Sequence, residues 1–501
     1  MLNKFLIIII IIISASNSFS QNTILETSLE VNTNREIPEF ENKLFLDNYY
    51  SNIFNYGKNG ILYRICGFNK KTKTETYVFV KYDLNFKFVN EVKYSTPITY
   101  KRLCEVKKDN FYYVLFKNES HQFKLICYDI ITSAISEIEG TLPNVFYGPD
   151  RSGIVNDWIV CELLAKGTSH IMAVNIKTGE SKLIPIVLEN INPKRLAFLN
   201  MEVSSDSKEL FLTYRVYYNR NFCSFLVRLD QNLDIQGFVN LSEGNEKLEL
   251  TNANVTKYGE NKYFVTGNFG GSPFSSYGIY FAELEDMKLK YIKLHKFENF
   301  DNFFAYQPEK TKDYVGFIVS NANEKNDFSK FNYKVSIDSV LKTDDGYLLL
   351  AEAFFPIEHD EFKSNSNSMV SVFYGNKITH GIIAKISNDG EIIWNKTFNL
   401  TVDELTRSNT IKYIHVKEMN NTGIDFSYYS NGLMENKKID GNGKIVSEKS
   451  YKIDENLTEK GENPFDSKYR WPWYDNYFLF FWKKKDGNSK DFFFYFNKIK
   501  Y

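Results

Sequence analysis

Little in this chain points to chemistry. Its 501 residues include only five cysteines, six histidines and 11 prolines, and the formal net charge is −1. The histidines (His121, His170, His295, His359, His380, His415) are scattered, with no His-x-x-x-His or His/carboxylate spacing of a metal site. No metal or other cofactor is therefore expected. Nucleophile elbows, phosphate-binding glycine loops and Cys/His pairs are also missing. The cluster Gly267-Asn268-Phe269-Gly270-Gly271 falls on a β–β connection, whereas a phosphate cradle needs a helix N-terminus. Near-neutral charge excludes the electrostatic footprint of a nucleic-acid binder. The lysine runs Lys70-Lys71, Lys107-Lys108 and Lys483–Lys485 are offset by nearby acids and read as solvated loops and protected strand edges. No Pro- or Ser-rich linker divides the chain, so 21–501 reads as a single domain.

Long apolar runs are missing too, except at the start. Lys4 followed by the isoleucine-rich Phe5–Ile13, with Ser18 and Ser20 before Gln21, has the layout of a secretory signal peptide over 1–20. No later run approaches the ~18 apolar residues of a membrane helix. The mature chain is expected to be exported, periplasmic or extracellular, without a transmembrane segment.

What the chain does contain is a repeated strand–turn–strand unit rich in Phe (43) and Tyr (34). Gly381–Phe398 is one copy, with Asn388-Asp389-Gly390 as its turn; others are Tyr77–Tyr94, His170–Val187, Ser224–Leu241 and Gly278–His295. The residues opening each turn are Asp83, Asp129, Asn175, Asp230, Glu285, Ser387, Asp440 and Asn497, at intervals of 46, 46, 55, 55, 102, 53 and 57 residues. That spacing is close to the roughly 40–50 residues of a propeller blade. The expected fold is an all-β propeller of seven or eight blades, eight anchors being counted. The 102-residue interval reads as one blade with an irregular insertion at about 297–332. A second insertion at about 356–379 separates the strands of the same unit, and its Ser364–Ser368 core reads as a mobile loop. The last copy stops one strand short, at Phe493–Tyr501, and Ile24–Val31 is expected to close the ring.

Aligning the strands Ile61–Gly67, Asn156–Glu162, Lys262–Asn268 and Gly346–Glu352 gives two columns. The penultimate one holds Cys66, Cys161, Gly267 and Ala351, all small, as close sheet convergence would require; the cysteines then read as buried thiols, with disulfides as the alternative. The last column holds Gly67, Glu162, Asn268 and Glu352, joined by Arg215 of Glu209–Arg215. It reads as a polar ring at a channel mouth or as structural pairs between blades. Glu162 and Glu352 are the candidate acid and base if the protein is a hydrolase; Asn268 and Arg215 are candidate binding residues. Trp471 and Trp473, in Tyr469–Tyr477, are candidates for stacking on a glycan or peptide. His359-Asp360-Glu361, Asn388–Gly390 and Asp440–Gly443 lack the ligand sets of metal loops.

Three segments carry a resemblance: Tyr263–Asn268 with Ser276–Phe281, Gly346–Pro356, and Tyr474–Phe478 with Phe496–Tyr501. They resemble a family of uncharacterised secreted bacterial proteins with propeller-like β repeats. The resemblance implies export and a repeat fold; it implies no catalytic residue. The functional expectation is a non-enzymatic binding or scaffolding propeller at the cell envelope, with an envelope protein or glycan as partner. The rival is an extracellular glycan hydrolase using channel-mouth carboxylates. Mass analysis of the exported protein is expected to place its N-terminus at Gln21; a mature chain still beginning at Met1 removes the export reading.

Overall fold

In the computed structural model the described residues are 21–22, 24–32, most of 52–452, and 469–472, 477–485 and 492–500. Side chains of 356–375, and those before 54 or after 451, lie outside the described set, as do residues 1–20 and 307–332. The expected signal peptide and most of the first insertion therefore fall outside it.

Strands of this sequence form because β-branched and aromatic residues alternate or run together between Asp/Asn/Gly turns. Eight antiparallel sheets follow one another along the chain: Asn52–Pro97, Lys101–Thr141, Ser152–Pro185, Leu196–Asn240, Glu249–Lys296, Lys334–Asn399, Ile414–Lys452 and Tyr469–Lys500. They are blades 1 to 8 of a β-propeller. Within a blade the strands neighbour one another in chain order, except that in blade 5 both Glu249–Leu250 and Asn254–Gly259 pair with Lys262–Gly270, and that N-terminal strands are added at the edges of blades 7 and 8. The long anchor interval is a single blade, blade 6, as the insertion reading required. Its second insertion takes the form of an extended hairpin: Gly346–Lys363 pairs with Ser368–Ser387 out to Lys363↔Ser368. Of the expected loop, Ser368 belongs to this hairpin and residues 364–367 lie outside the described residues.

Middle strands read as unbroken apolar runs because both of their faces are covered. In blade 3, Val160 and Ile171 pack with Leu212 and Val227 of blade 4. Their neighbours Cys161 and Met172 point the other way, against Leu115 and Leu125 of blade 2. The same division recurs at every seam from blades 1–2 to blades 6–7. Aromatic residues fill these seams, as with Phe79 and Tyr128 stacked at 4.9 Å and Phe264 and Tyr347 at 4.0 Å. Such pairs contribute about 0.5–1.5 kcal/mol each beyond their burial.

Closure uses the N-terminal segment. Ile24–Asn32 pairs antiparallel with Phe492–Lys500 as the outer strand of blade 8. Gln21–Asn22 pairs in parallel with Tyr451–Lys452 at the edge of blade 7. One short segment thereby joins two blades through main-chain hydrogen bonds.

The turn anchors act through their side chains. Oδ1 of Asp83, Asp230 and Asp440 each accepts two main-chain N–H bonds from the turn, at 2.8–3.0 Å. Asn175 does the same with Lys177 and Thr178. Each turn then passes through a left-handed residue: Phe86 after Asp83, Gly179 after Asn175, Leu233 after Asp230 and Gly443 after Asp440. Glycine takes that conformation freely; Phe86 and Leu233 take it because their side chains are buried in the core. The eighth anchor differs from expectation. Asn497 lies inside a strand, opposite Ser28 and Phe480, because the incoming N-terminal strand replaces the turn. Replacing Asp440 by Ala is expected to lower stability by roughly 1–3 kcal/mol in urea unfolding, while Asp440→Asn, which keeps the acceptor, changes it far less.

Candidate functional site

Strand register decides which residues share a level in the ring. Lys262 lies opposite the anchor Glu285, and Gly346 opposite Ser387. The pairing Leu210↔Leu229 sets Glu209 opposite Asp230. Six residues further on stand Arg215, Asn268 and Glu352, so these three occupy equivalent positions. In blade 3 the pairing Trp158↔Asn175 gives that level to Leu164, and Glu162 lies two residues below it. In blade 1, Ile61↔Tyr82 gives it to Cys66 in place of Gly67. In blade 3 the sequence alignment slips by two residues, a shift after which a period-2 pattern looks the same; in blade 1 it slips by one, on a strand whose Ile61–Cys66 run is buried on both faces and so shows no alternation. The small-residue column dissolves for the same reason: Gly267 and Ala351 share their level with Ile65, Leu163 and Tyr214. Gly267 is small for a local reason, since a Cβ there would overlap the Asn252 carbonyl.

Each of the three equivalent residues reaches into the next blade. Arg215 Nη2 pairs with Glu249 Oε1 of blade 5 at 2.7 Å, and its guanidinium lies 3.6 Å from the Phe222 ring centroid. Asn268 makes a two-way bond with the first strand of blade 6: its Nδ2 donates to the Val335 carbonyl, and its Oδ1 accepts from the Val335 N–H, both at 2.8 Å. Glu352 Oε1 accepts the N–H groups of Tyr413 and Ile414, at 2.6 and 2.9 Å, where blade 7 begins.

Glu352 is only 2% exposed. Burial, then the neighbouring Asp338 carboxyl, push its carboxyl well above the ordinary value, against the two N–H donors that favour its charged form. Asp338 is brought there by a bulge, since Ile337 pairs with Ala351 and Ser339 with Leu350, which leaves Asp338 between them. A neutral acid beside a second carboxyl is an arrangement used for proton transfer. Here the main chain of the next blade covers it.

Next in register, Ala353 faces His380. The His380 imidazole is fully buried, with Nδ1 2.9 Å from Thr379 Oγ1, and Nε2 has no hydrogen-bond partner among the described residues. The rings of Phe303, Tyr306 and Tyr333 surround it at centroid distances of 4.5, 5.4 and 6.3 Å. Burial lowers its pKa to about 3.

Glu162 is buried, accepts the Ser169 hydroxyl at 3.0 Å, and sits three blades from Glu352 with a separate set of partners. Trp471 lies in the first strand of blade 8, Tyr469–Pro472, with its side chain outside the described set; Trp473 lies wholly outside the described residues. Sequence reasoning passed over Asp338. It also passed over Glu209, whose carboxylate is bound by Arg228, Lys257 and the Tyr263 hydroxyl at 2.6–2.8 Å. No local pattern marks either one, because their partners come from distant strands.

An open cleft of about 510 Å³ runs along the outer strand of blade 6, Ile392–Asn399, and the turn after blade 5. His295, Asn299, Asp301, Glu391, Trp394 and Lys396 line it. Asn395 Oδ1 holds the Asp301 N–H at 2.6 Å, and His295 Nε2 lies 2.8 Å from the Gly390 carbonyl, so the walls are braced from both blades. Among the described residues no cluster of His, Cys, Asp and Glu is arranged to hold a metal ion, and no helix is long and apolar enough to cross a membrane.

No known family and no curated protein matches the sequence. Solved structures that it is similar to include a polysaccharide lyase (10% identity, TM-score 0.36, covering 79% of this chain and 89% of that one). Another is a periplasmic gluconolactonase of Pseudomonas aeruginosa (10%, 0.36, 81% and 97%). A third is the β-propeller domain of the Trilobed protease of Pyrococcus furiosus, described as having an open velcro topology (12%, 0.31, 77% and 92%). At such identities the likeness concerns the fold alone. The resemblance noted in the sequence is thereby reduced to its coarser part, the propeller.

The unfolded chain binds a proton at His380 near pH 6.5, the folded one only near pH 3. Its contribution to stability is therefore complete above about pH 6.5 and is lost as pH falls toward 3. Between pH 7 and pH 4.5 the native chain is expected to lose roughly 2–3 kcal/mol more than His380→Phe, measured by urea unfolding at each pH.

Proposed function

We propose that the chain is an exported binding or scaffolding propeller of the cell envelope, non-enzymatic, whose ligand is a glycan or a protein surface. The observation that carries this reading is the use of the nominated polar residues. Glu352, Asn268 and Arg215 are bound across blade seams, to Ile414, Val335 and Glu249, and so act as frame. The cleft beside Ile392–Asn399 is the better place for a ligand. It mixes hydrogen-bonding side chains with the half-buried Trp394 and the exposed Ile393, a lining suited to a glycan. The second reading, an extracellular glycan hydrolase, draws on the carboxyl pair of Glu352 and Asp338 and on Glu162.

Both readings are tested by incubating the purified protein with a panel of envelope polysaccharides, following retention and chain length together. Retention without cleavage is expected, weakened roughly tenfold or more by the double substitution Asp301→Ala with Lys396→Ala. Cleavage that disappears in Glu352→Gln or Glu162→Gln, with binding kept, overturns it in favour of the hydrolase.

A further inference from the structure

Two of the five cysteines meet across a seam. Cys104 lies on the first strand of blade 2 and Cys161 on the second strand of blade 3, and their Sγ atoms are 3.2 Å apart. That is closer than the about 3.5–4.0 Å of ordinary carbon contacts, although sulfur is the larger atom. Cys104 is 8% exposed and Cys161 0%, within an apolar cluster that includes Leu115, Ile159 and Met172. A bulge contributes to the meeting: Arg102 pairs with Phe116 and Cys104 with Leu115, leaving Leu103 between them and bending the strand. Of the other thiols, Cys66 is bonded to Glu75 at 2.8 Å, and Cys223 belongs to the seam between blades 3 and 4. Cys127 is half-buried beside Tyr113 and Ser136.

We infer that Cys104 and Cys161 form a disulfide that ties blade 2 to blade 3 in the mature protein. A disulfide needs the sulfurs at about 2.05 Å, so they must close by roughly 1 Å in a seam already packed around them. The bond requires an external oxidant, a protein or small-molecule disulfide. Thiolate attack on that disulfide gives a mixed disulfide, and attack by the second cysteine releases the carrier as thiol. In all, two protein thiols lose two hydrogens and one carrier disulfide becomes two thiols. The adjacent thiol and complete burial push the Cys161 pKa well up, so exchange in the finished ring is slow and the bond forms as the blades assemble. Reduction inside the assembled seam is slow for the same reason. Formation in the cell rests on the export reading, because an oxidising compartment supplies the carrier.

The experiment is peptide mapping of the full chain, produced with its own leader in a bacterial host and alkylated under denaturing, non-reducing conditions. The expected product is a cross-linked Cys104–Cys161 peptide pair, an intact mass lower by two hydrogens, and alkylation of the other three thiols. Chemical reduction is then expected to lower the Tm by roughly 2–4 °C, a change absent from the Cys104→Ala Cys161→Ala double variant. If the protein as isolated is reduced but the same pair links on refolding with oxidised glutathione, the pair stands and export to an oxidising compartment falls. If all five cysteines alkylate after both treatments, or a different pair links, the inference is overturned.

Discussion

Double-sided burial of the middle strands is the constraint on which the rest of this structure depends. A strand such as Leu210–Tyr218 is apolar on both faces, so it cannot sit at the surface of a two-layer domain. It needs a sheet against each side, and each of those sheets needs another. A chain of such units becomes stable only when many stack and the ends are joined. Ring closure is thus a consequence of the residue pattern, and the N-terminal segment completes it by pairing with blades 7 and 8.

Polar groups within this frame follow from the same requirement. First strands enter each blade with main-chain N–H and C=O groups that the sheet does not yet satisfy, and burial makes unsatisfied groups costly. Asn268 and Glu352 satisfy them from the blade before, and Arg215 ties the same level through Glu249. Residues that look functional because they are polar in apolar surroundings are, in this ring, side chains that complete a seam. Glu352 shows the consequence for chemistry, since its proton affinity is altered by the same enclosure that sets its carboxyl against the main chain of blade 7.

Much of the fold was legible because it is local. Anchor residues such as Asp83, Asp230 and Asp440 mark turns through bonds to N–H groups two and four residues ahead. Blade length and a count of seven or eight follow from those marks, although the eighth, Asn497, lies inside a strand; the closing strand Ile24–Val31 follows from the last copy stopping one strand short. The candidate site was legible only in part. Arg215, Asn268 and Glu352 share a level because their blades keep one spacing from anchor to column, whereas Glu162 and Gly67 were displaced, by two residues and by one, in strands buried on both faces, where alternation gives no register. Asp338 could not be found at all from local pattern, because a single bulge turns it toward Glu352.

By itself, then, the sequence determined the repeating hairpins, their turns and the need for a closed all-β ring, since each depends on residues a few positions apart. Tertiary structure decided the partners: which carboxylate meets which main-chain group, which cysteine meets which, and where a cleft opens. Those contacts join residues about fifty or more positions apart, such as Cys104 with Cys161 and Glu352 with Ile414. They depend on strand register and seam packing, which period-2 patterning leaves open by two residues at a time.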